Sequence, residues 1–176
     1  MTSVFIGGSR AISRLNEAIR EQLDNLIAKH CEIFVGDANG ADKAVQAFFA
    51  QRKYPNVTVF CMSGHCRNNV GGWHTKPITA PKSVKGFEYY TLKDKAMAHE
   101  AKCGLMLWDG ESRGTLTNVL NLLGGGKKVM VYLGPEKTFY KLSNEDDLGT
   151  LLARCDPSKL KDLKGLVSPQ LRLQRV

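Results

Sequence analysis

Three short stretches gather the residues best suited to hold a charged ligand: GGSR (Gly7–Arg10), GDANGAD (Gly36–Asp42) and DGESRGT (Asp109–Thr115). Glycine lets the backbone approach a ligand closely. A helix starting just beyond such a loop offers free N–H donors and a partial positive charge. The chemistry these stretches suit is therefore phosphate binding. The candidate residues are Gly7, Gly8, Ser9 and Arg10 in the first stretch, and Gly36, Asp37, Gly40 and Asp42 in the second. The third supplies Asp109, Ser112, Gly114 and Thr115, followed at once by Asn118. Arg10 can grip a phosphate through two parallel hydrogen bonds, or form an ordinary surface ion pair. Asp42 equally suits the N-cap of a helix.

A second group lies in CMSGHCRNNVGGWH (Cys61–His74). Arg67, Asn68 and Trp73 offer a cation, an amide and a stacking surface on a loop that could fold over a base; the plain alternative is a packed loop anchored by Trp73. Cys61, His65, Cys66 and His74 match no standard zinc spacing, so neither metal nor cofactor is expected. Five cysteines, an odd number spread along the chain, read as reduced thiols rather than a disulfide framework.

The elements that must position these residues follow from the hydrophobic pattern. Apolar runs at Ser3–Ile6, Glu32–Val35, Val57–Cys61, Leu105–Trp108 and Val129–Leu133 read as five strands. Ile12, Leu15, Ile19, Leu23, Leu26 and Ile27 fall in steps of three and four, which predicts a first helix. A second helix starts at Asp42, a third covers 89–101, and a fourth carries Leu116, Val119, Leu120 and Leu123. Strands that are apolar throughout and alternate with helices indicate a parallel sheet covered on both faces. The expected fold is a Rossmann-like, doubly wound α/β domain with a mainly parallel five-stranded sheet. Ligands of such sheets bind beyond the carboxyl ends of the strands, where all three glycine loops fall. Met62–Gly86 has no sustained period and reads as a long binding loop. Residues 1–135 form the ligand-binding domain. Residues 136–176 form a short C-terminal extension packing on it, with a short strand at 138–142 and a Ser143/Asp146 capping box before a helix near 147–154.

The 176 residues carry 25 Lys/Arg against 17 Asp/Glu, a formal net charge of +8. The excess sits in residues 52–102 (9 against 3) and 127–176 (10 against 6). A basic surface favours anionic partners, nucleotide or nucleic acid. No apolar run approaches the roughly 18 residues of a membrane span, and MTSVFIGGSR lacks the features of a secretory signal. The expected location is the cytoplasm, with no membrane partner. GGSR is not GxGxxG, and no GxxxxGK[ST] occurs, which argues against a standard dinucleotide domain and a P-loop NTPase.

GGSR, GDANGAD, KDKAM (Lys93–Met97) and the GT-containing loop together resemble the SLOG superfamily over about residues 2–133. That superfamily joins DprA-type Rossmann domains, LOG phosphoribohydrolases and YspA-type proteins, and the match is nearest the YspA-type branch. The resemblance implies a nucleotide or nucleotide-derived ligand and frequent homo-oligomers. It also implies that Gly114 and Thr115 cradle phosphate. LOG members carry a glutamate three residues after that threonine, implicated in cleaving the N-glycosidic bond; here the position is Asn118. Asparagine cannot stabilise an oxocarbenium ion by charge, so turnover would have to recruit Asp109, Glu111 or Asp94. The plain alternatives are helix-dipole partners for Asp109 and Glu111, and a solvated helix face for Asp94. The leading expectation is nucleotide-ligand binding, with weak N-glycosidic cleavage as an added activity. The alternatives are a LOG-type phosphoribohydrolase and a DprA-like DNA-binding protein whose Lys and Arg in 76–102 and 154–175 would make the contacts.

Overall fold

The computed structural model describes residues 1–163 and 165–167. Seven strands form one sheet in the order β4-β3-β2-β1-β5-β6-β7. They are β1 Ser3–Gly8, β2 Glu32–Gly36, β3 Val57–Met62, β4 His74–Ile78, β5 Cys103–Trp108, β6 Lys128–Leu133 and β7 Thr138–Leu142. All neighbours run parallel except β6 and β7. The helices are α1 Glu17–Ala28, α2 Ala41–Gln51, α3 Phe87–Glu100, α4 Arg113–Gly124, α5 Glu145–Ala153 and the single turn α6 Pro157–Leu160. This is the doubly wound α/β class.

Strand alternation divides the core. Val4 and Ile6 of β1, with Ile33, Val35, Val57 and Val59, face α1 and α2. Phe5, Phe34, Phe60, Met106 and Trp108 face the opposite way, toward α3, α4 and α5. Both layers are closed to water, which is why the central strands read as continuous apolar runs. After β3 and β4 the chain returns through α3 to pair β5 with β1. The sheet therefore reverses its winding direction between β1 and β5, the place where doubly wound sheets open a crevice.

The structure corrects several sequence expectations. The sheet has seven strands rather than five. β4 lies inside the segment read as a long loop; it is an edge strand carrying Pro77, and three of its residues are exposed or nearly so, leaving little hydrophobic pattern. Its connection from β3 contains no helix. Helix α1 begins at Glu17, because Asn16 caps it by accepting from the Ile19 N–H at 3.0 Å. Ile12 and Leu15 reach the core from the loop before it. The second helix is capped by Gly40, not Asp42. The capping box ahead of α5 sits one residue later than expected: Asn144 accepts from the Asp147 N–H at 2.9 Å, and Asp147 accepts from the Ser143 N–H at 2.7 Å.

Cys61 and Cys66, expected as separate thiols, lie side by side with Cα atoms 5.0 Å apart, a spacing that admits a disulfide. A tight turn through Ser63 and Gly64, both at positive φ, folds the chain back beside the end of β3. There is no break in packing at 135/136: β7 pairs with β6, and Leu148, Leu151 and Leu163 join the core. Residues 164 and 168–176, which include part of the expected basic tail, lie outside the described residues. Among the described residues, no helix is long and apolar enough to cross a membrane, and no cluster of three metal-ligating side chains occurs.

Candidate functional site

The three glycine loops converge. A Cβ on Gly40 would lie 2.4 Å from the Arg10 backbone, and φ there is +81°, so only glycine lets the second loop close on the first. The Ala41 N–H donates to the Ser9 carbonyl at 3.2 Å, joining the same two loops. Ser9 Oγ donates to Asp109 Oδ2 at 2.7 Å, tying the first loop to the third. Between them, beyond the ends of β1 and β5, lies a cavity of about 460 Å³, with Thr91, Lys93, Asp94 and Met97 of α3 and the first turns of α4 in its walls.

Of the sequence-derived candidates, Gly7, Gly8, Ser9, Arg10, Asp42, Arg67, Asp94, Ser112, Gly114, Thr115 and Asn118 line this cavity. Gly36, Asp37, Gly40 and Asp109 stand behind its surface as supports. Asp109 is a loop brace: besides Ser9, it accepts from the Ser112 and Glu111 N–H groups at 2.7 and 3.0 Å. Burial alone would raise its pKa, but these hydrogen bonds hold it below the usual carboxylate range. Glu111 is turned away and pairs with Lys159. Of the three candidate catalytic carboxylates, only Asp94 lines the cavity.

Gly36 serves a different purpose. A Cβ there would sit 2.5 Å from Asp42 Oδ2 and 3.0 Å from Lys93 Nζ, so the missing side chain makes room for a buried charge cluster. Lys93 is 4% exposed and donates to Asp94 Oδ1 at 2.7 Å. Burial works against its charge, but Asp94 and Asp42 together hold its pKa above the ordinary lysine value. Asp42 accepts from the Ala38 N–H at 3.2 Å. Burial outweighs the attraction of Lys93 and raises Asp42 to about 6. Asn118 Nδ2 donates to Asp94 Oδ2 at 3.4 Å. The inner end of the cavity is thus polar and carries hydrogen-bond acceptors.

The outer rim is aromatic and cationic. Phe87 and Tyr90, the first-turn residues of α3, are 47% and 41% exposed. The Arg67 guanidinium lies 4.9 Å from the Tyr90 ring centre, and that of Arg113 lies 5.1 Å from Phe87. Arg67 is fixed by Asp37, to which its Nη2 donates at 2.8 Å and its backbone N–H at 3.0 Å. Burial opposes the Asp37 charge, yet the paired Arg67 hydrogen bonds keep its pKa below normal.

The lid expectation divides. Arg67 reaches the cavity; Asn68 donates instead to the Asp37 carbonyl at 2.8 Å; Trp73 is an anchor, packed on the core with Nε1 donating to the Tyr54 carbonyl at 2.8 Å. Sequence reasoning missed Lys93, Phe87 and Tyr90. A lysine between polar neighbours reads as solvated, and nothing local marks the α3 residues as facing a cavity rather than water. The one local signal is KDKAM (Lys93–Met97), whose first residue is the buried lysine.

No family model matches the chain, and no curated protein matches it. Among solved structures, it is similar to DNA processing protein A from Helicobacter pylori, described for its single-stranded DNA binding mode. The TM-score is 0.57 with 13% identity, covering 97% of this chain and 80% of that one. At this identity the likeness is one of fold. It agrees with the Rossmann-like α/β architecture expected from the alternation of strands and helices and does not single out the YspA-type branch.

Proposed function

We propose that this protein binds a nucleotide in the cavity between β1 and β5. The observation that carries the reading is the gathering of two glycine loops, the start of α4 and an aromatic–arginine rim around one space. About 460 Å³ lies within the roughly 300–1,000 Å³ of small-ligand pockets. The first turn of α4 and Arg10 supply N–H donors and charge for a phosphate. Phe87 and Tyr90 supply faces for a base, and the inner carboxylates accept from hydroxyl or amino groups. With Asn118 where LOG-type hydrolases carry glutamate, the reading is binding without multiple turnover; sustained release of free base would overturn that part.

A second reading, a single-stranded nucleic acid, is favoured by the fold neighbour and by the exposed aromatics paired with arginines, a combination that suits stacked bases on a charged track. The comparisons lean toward this second reading, the enclosed geometry toward the first. One experiment separates them: calorimetric titration with a panel of mononucleotides and with short oligonucleotides at two salt concentrations, for wild type and Gly114→Asp. A Cβ on Gly114 meets no atom within 4 Å, so the variant folds while adding negative charge where a phosphate would lie. Mononucleotide binding lost at least about tenfold in the variant supports the first reading. Oligonucleotide binding that falls steeply with salt, without mononucleotide binding, supports the second. If neither class binds, both readings fail.

A further inference from the structure

The cysteine-containing segment after β3 takes no part in the proposed recognition, yet it leads directly into Arg67, which lines the cavity. Cys61 lies at the end of β3, fully buried. Cys66 is half-buried, packs against the core, and directly precedes Arg67. Their Cα separation of 5.0 Å falls inside the disulfide range. The segment that follows is stapled to the second glycine loop and to α2 at several points. Arg67 holds Asp37 through backbone and side chain. Asn68 Nδ2 donates to the Asp37 carbonyl. Gln46 donates to the Asn68 carbonyl at 3.2 Å and accepts from the Val70 N–H at 2.9 Å.

The other three cysteines are poor competitors for redox chemistry. Cys31 and Cys155 are buried, and Cys103 is half-buried against β1, its thiol donating to the Ser3 carbonyl at 4.0 Å. Desolvation raises the thiol pKa of all three, to about 11 for Cys155, which suppresses the reactive thiolate.

We propose that Cys61 and Cys66 are a reversible dithiol–disulfide pair, exchanging with low-molecular-weight thiols and disulfides, that sets how firmly Arg67 is held at the cavity. The exchange is balanced. A small-molecule thiolate attacks Sγ of Cys66, the more accessible sulfur, and the Cys61 thiolate leaves. A second thiolate then attacks the small-molecule sulfur of the mixed disulfide, releasing the Cys66 thiolate and one small-molecule disulfide. The protein's two sulfurs gain two electrons and, on protonation, two protons; two small-molecule thiols are oxidised. In the oxidised state the turn through Ser63 and Gly64 is closed at its base, and Arg67 leaves it from a fixed point. In the reduced state that turn, which needs positive φ at Ser63, is held by its hydrogen bonds alone.

The test uses the full chain equilibrated in oxidised or reduced glutathione. Differential alkylation with mass spectrometry should show one disulfide, Cys61–Cys66, gained and lost, with the other three cysteines free throughout. Hydrogen exchange of the 66–70 amides should speed up about tenfold on reduction, and Cys61→Ser/Cys66→Ser should exchange like the reduced protein in both buffers. Two results would overturn the proposal: a pair that stays reduced in oxidised glutathione, or exchange rates at 66–70 that do not differ between the two states. Both readouts are independent of any ligand, so failure of the nucleotide reading leaves them unaffected.

Discussion

Replacing Asp42 by asparagine should stabilise the protein at neutral pH, with a gain that disappears in acid. Asp42 is buried beside Lys93, and its pKa rises from the ordinary 3.8 to about 6, burial prevailing over the lysine's attraction. The native state therefore keeps a proton on this group that the unfolded chain has already released. The associated stability is fully present below pH 3.8 and is lost as pH rises through about 6. A displacement of roughly two pH units corresponds to about 3 kcal/mol, an upper bound for the charge's cost at pH 8. Asparagine is nearly isosteric and can still accept from the Ala38 N–H, while Lys93 keeps Asp94 as its partner. The expected gain is about 1–3 kcal/mol at pH 8 and close to zero at pH 4, read by urea unfolding at pH 4, 6 and 8. A variant less stable than wild type at pH 8 would refute the reasoning. It would mean that the Asp42–Lys93 attraction exceeds the cost of burying the carboxylate, as expected for a buried pair broken on one side.

Three further outcomes are expected. Gly40→Ala should cost about 3 kcal/mol or more in thermal or urea unfolding, because φ is +81° and the new methyl would meet the Arg10 backbone at 2.4 Å; a loss below about 1 kcal/mol would show that the two loops can separate freely. Trp73→Phe should cost about 1–2 kcal/mol through the lost hydrogen bond to the Tyr54 carbonyl, while mononucleotide affinity in calorimetry stays unchanged; a large fall in affinity would restore Trp73 to the binding surface. Ser9→Ala should cost about 1–2 kcal/mol and weaken any phosphate contact, since the Asp109 brace loses its link to the first glycine loop; unchanged stability and affinity would show that the link carries no weight.

What could be read from the sequence follows from how each element is buried. β1, β2, β3, β5 and β6 are covered on both faces, so their apolar runs stood out, and the glycine loops after β1, β2 and β5 could be placed at one sheet edge. β4 could not be found because an exposed edge strand has no core face to imprint a pattern, and Pro77 argued against a strand. The candidate site was legible where backbone chemistry makes it, in the glycine loops and at the start of α4. It was illegible where tertiary packing makes it. Lys93 becomes a cavity residue only because Gly36, 57 positions away in sequence, leaves room for its ammonium group. Asp109 and Glu111, adjacent but for one glycine, separate into a brace and a surface ion pair, a division set by what Ser9 and Lys159 place beside them.

The central position of β1 also sets an order of events during synthesis. β1 can pair with β2 early, but its other edge belongs to β5, and Ser9 meets Asp109 only after 100 further residues have been made. At roughly 5–20 residues per second, the ribosome takes on the order of 5–20 s to deliver that partner. During this interval Phe5 and one full strand edge stay open, presenting an unpaired hydrogen-bonding row to other nascent chains. A slowdown in translation between β3 and β5 should therefore lower the yield of folded protein more than the same slowdown after β6, even though the finished molecule would be identical.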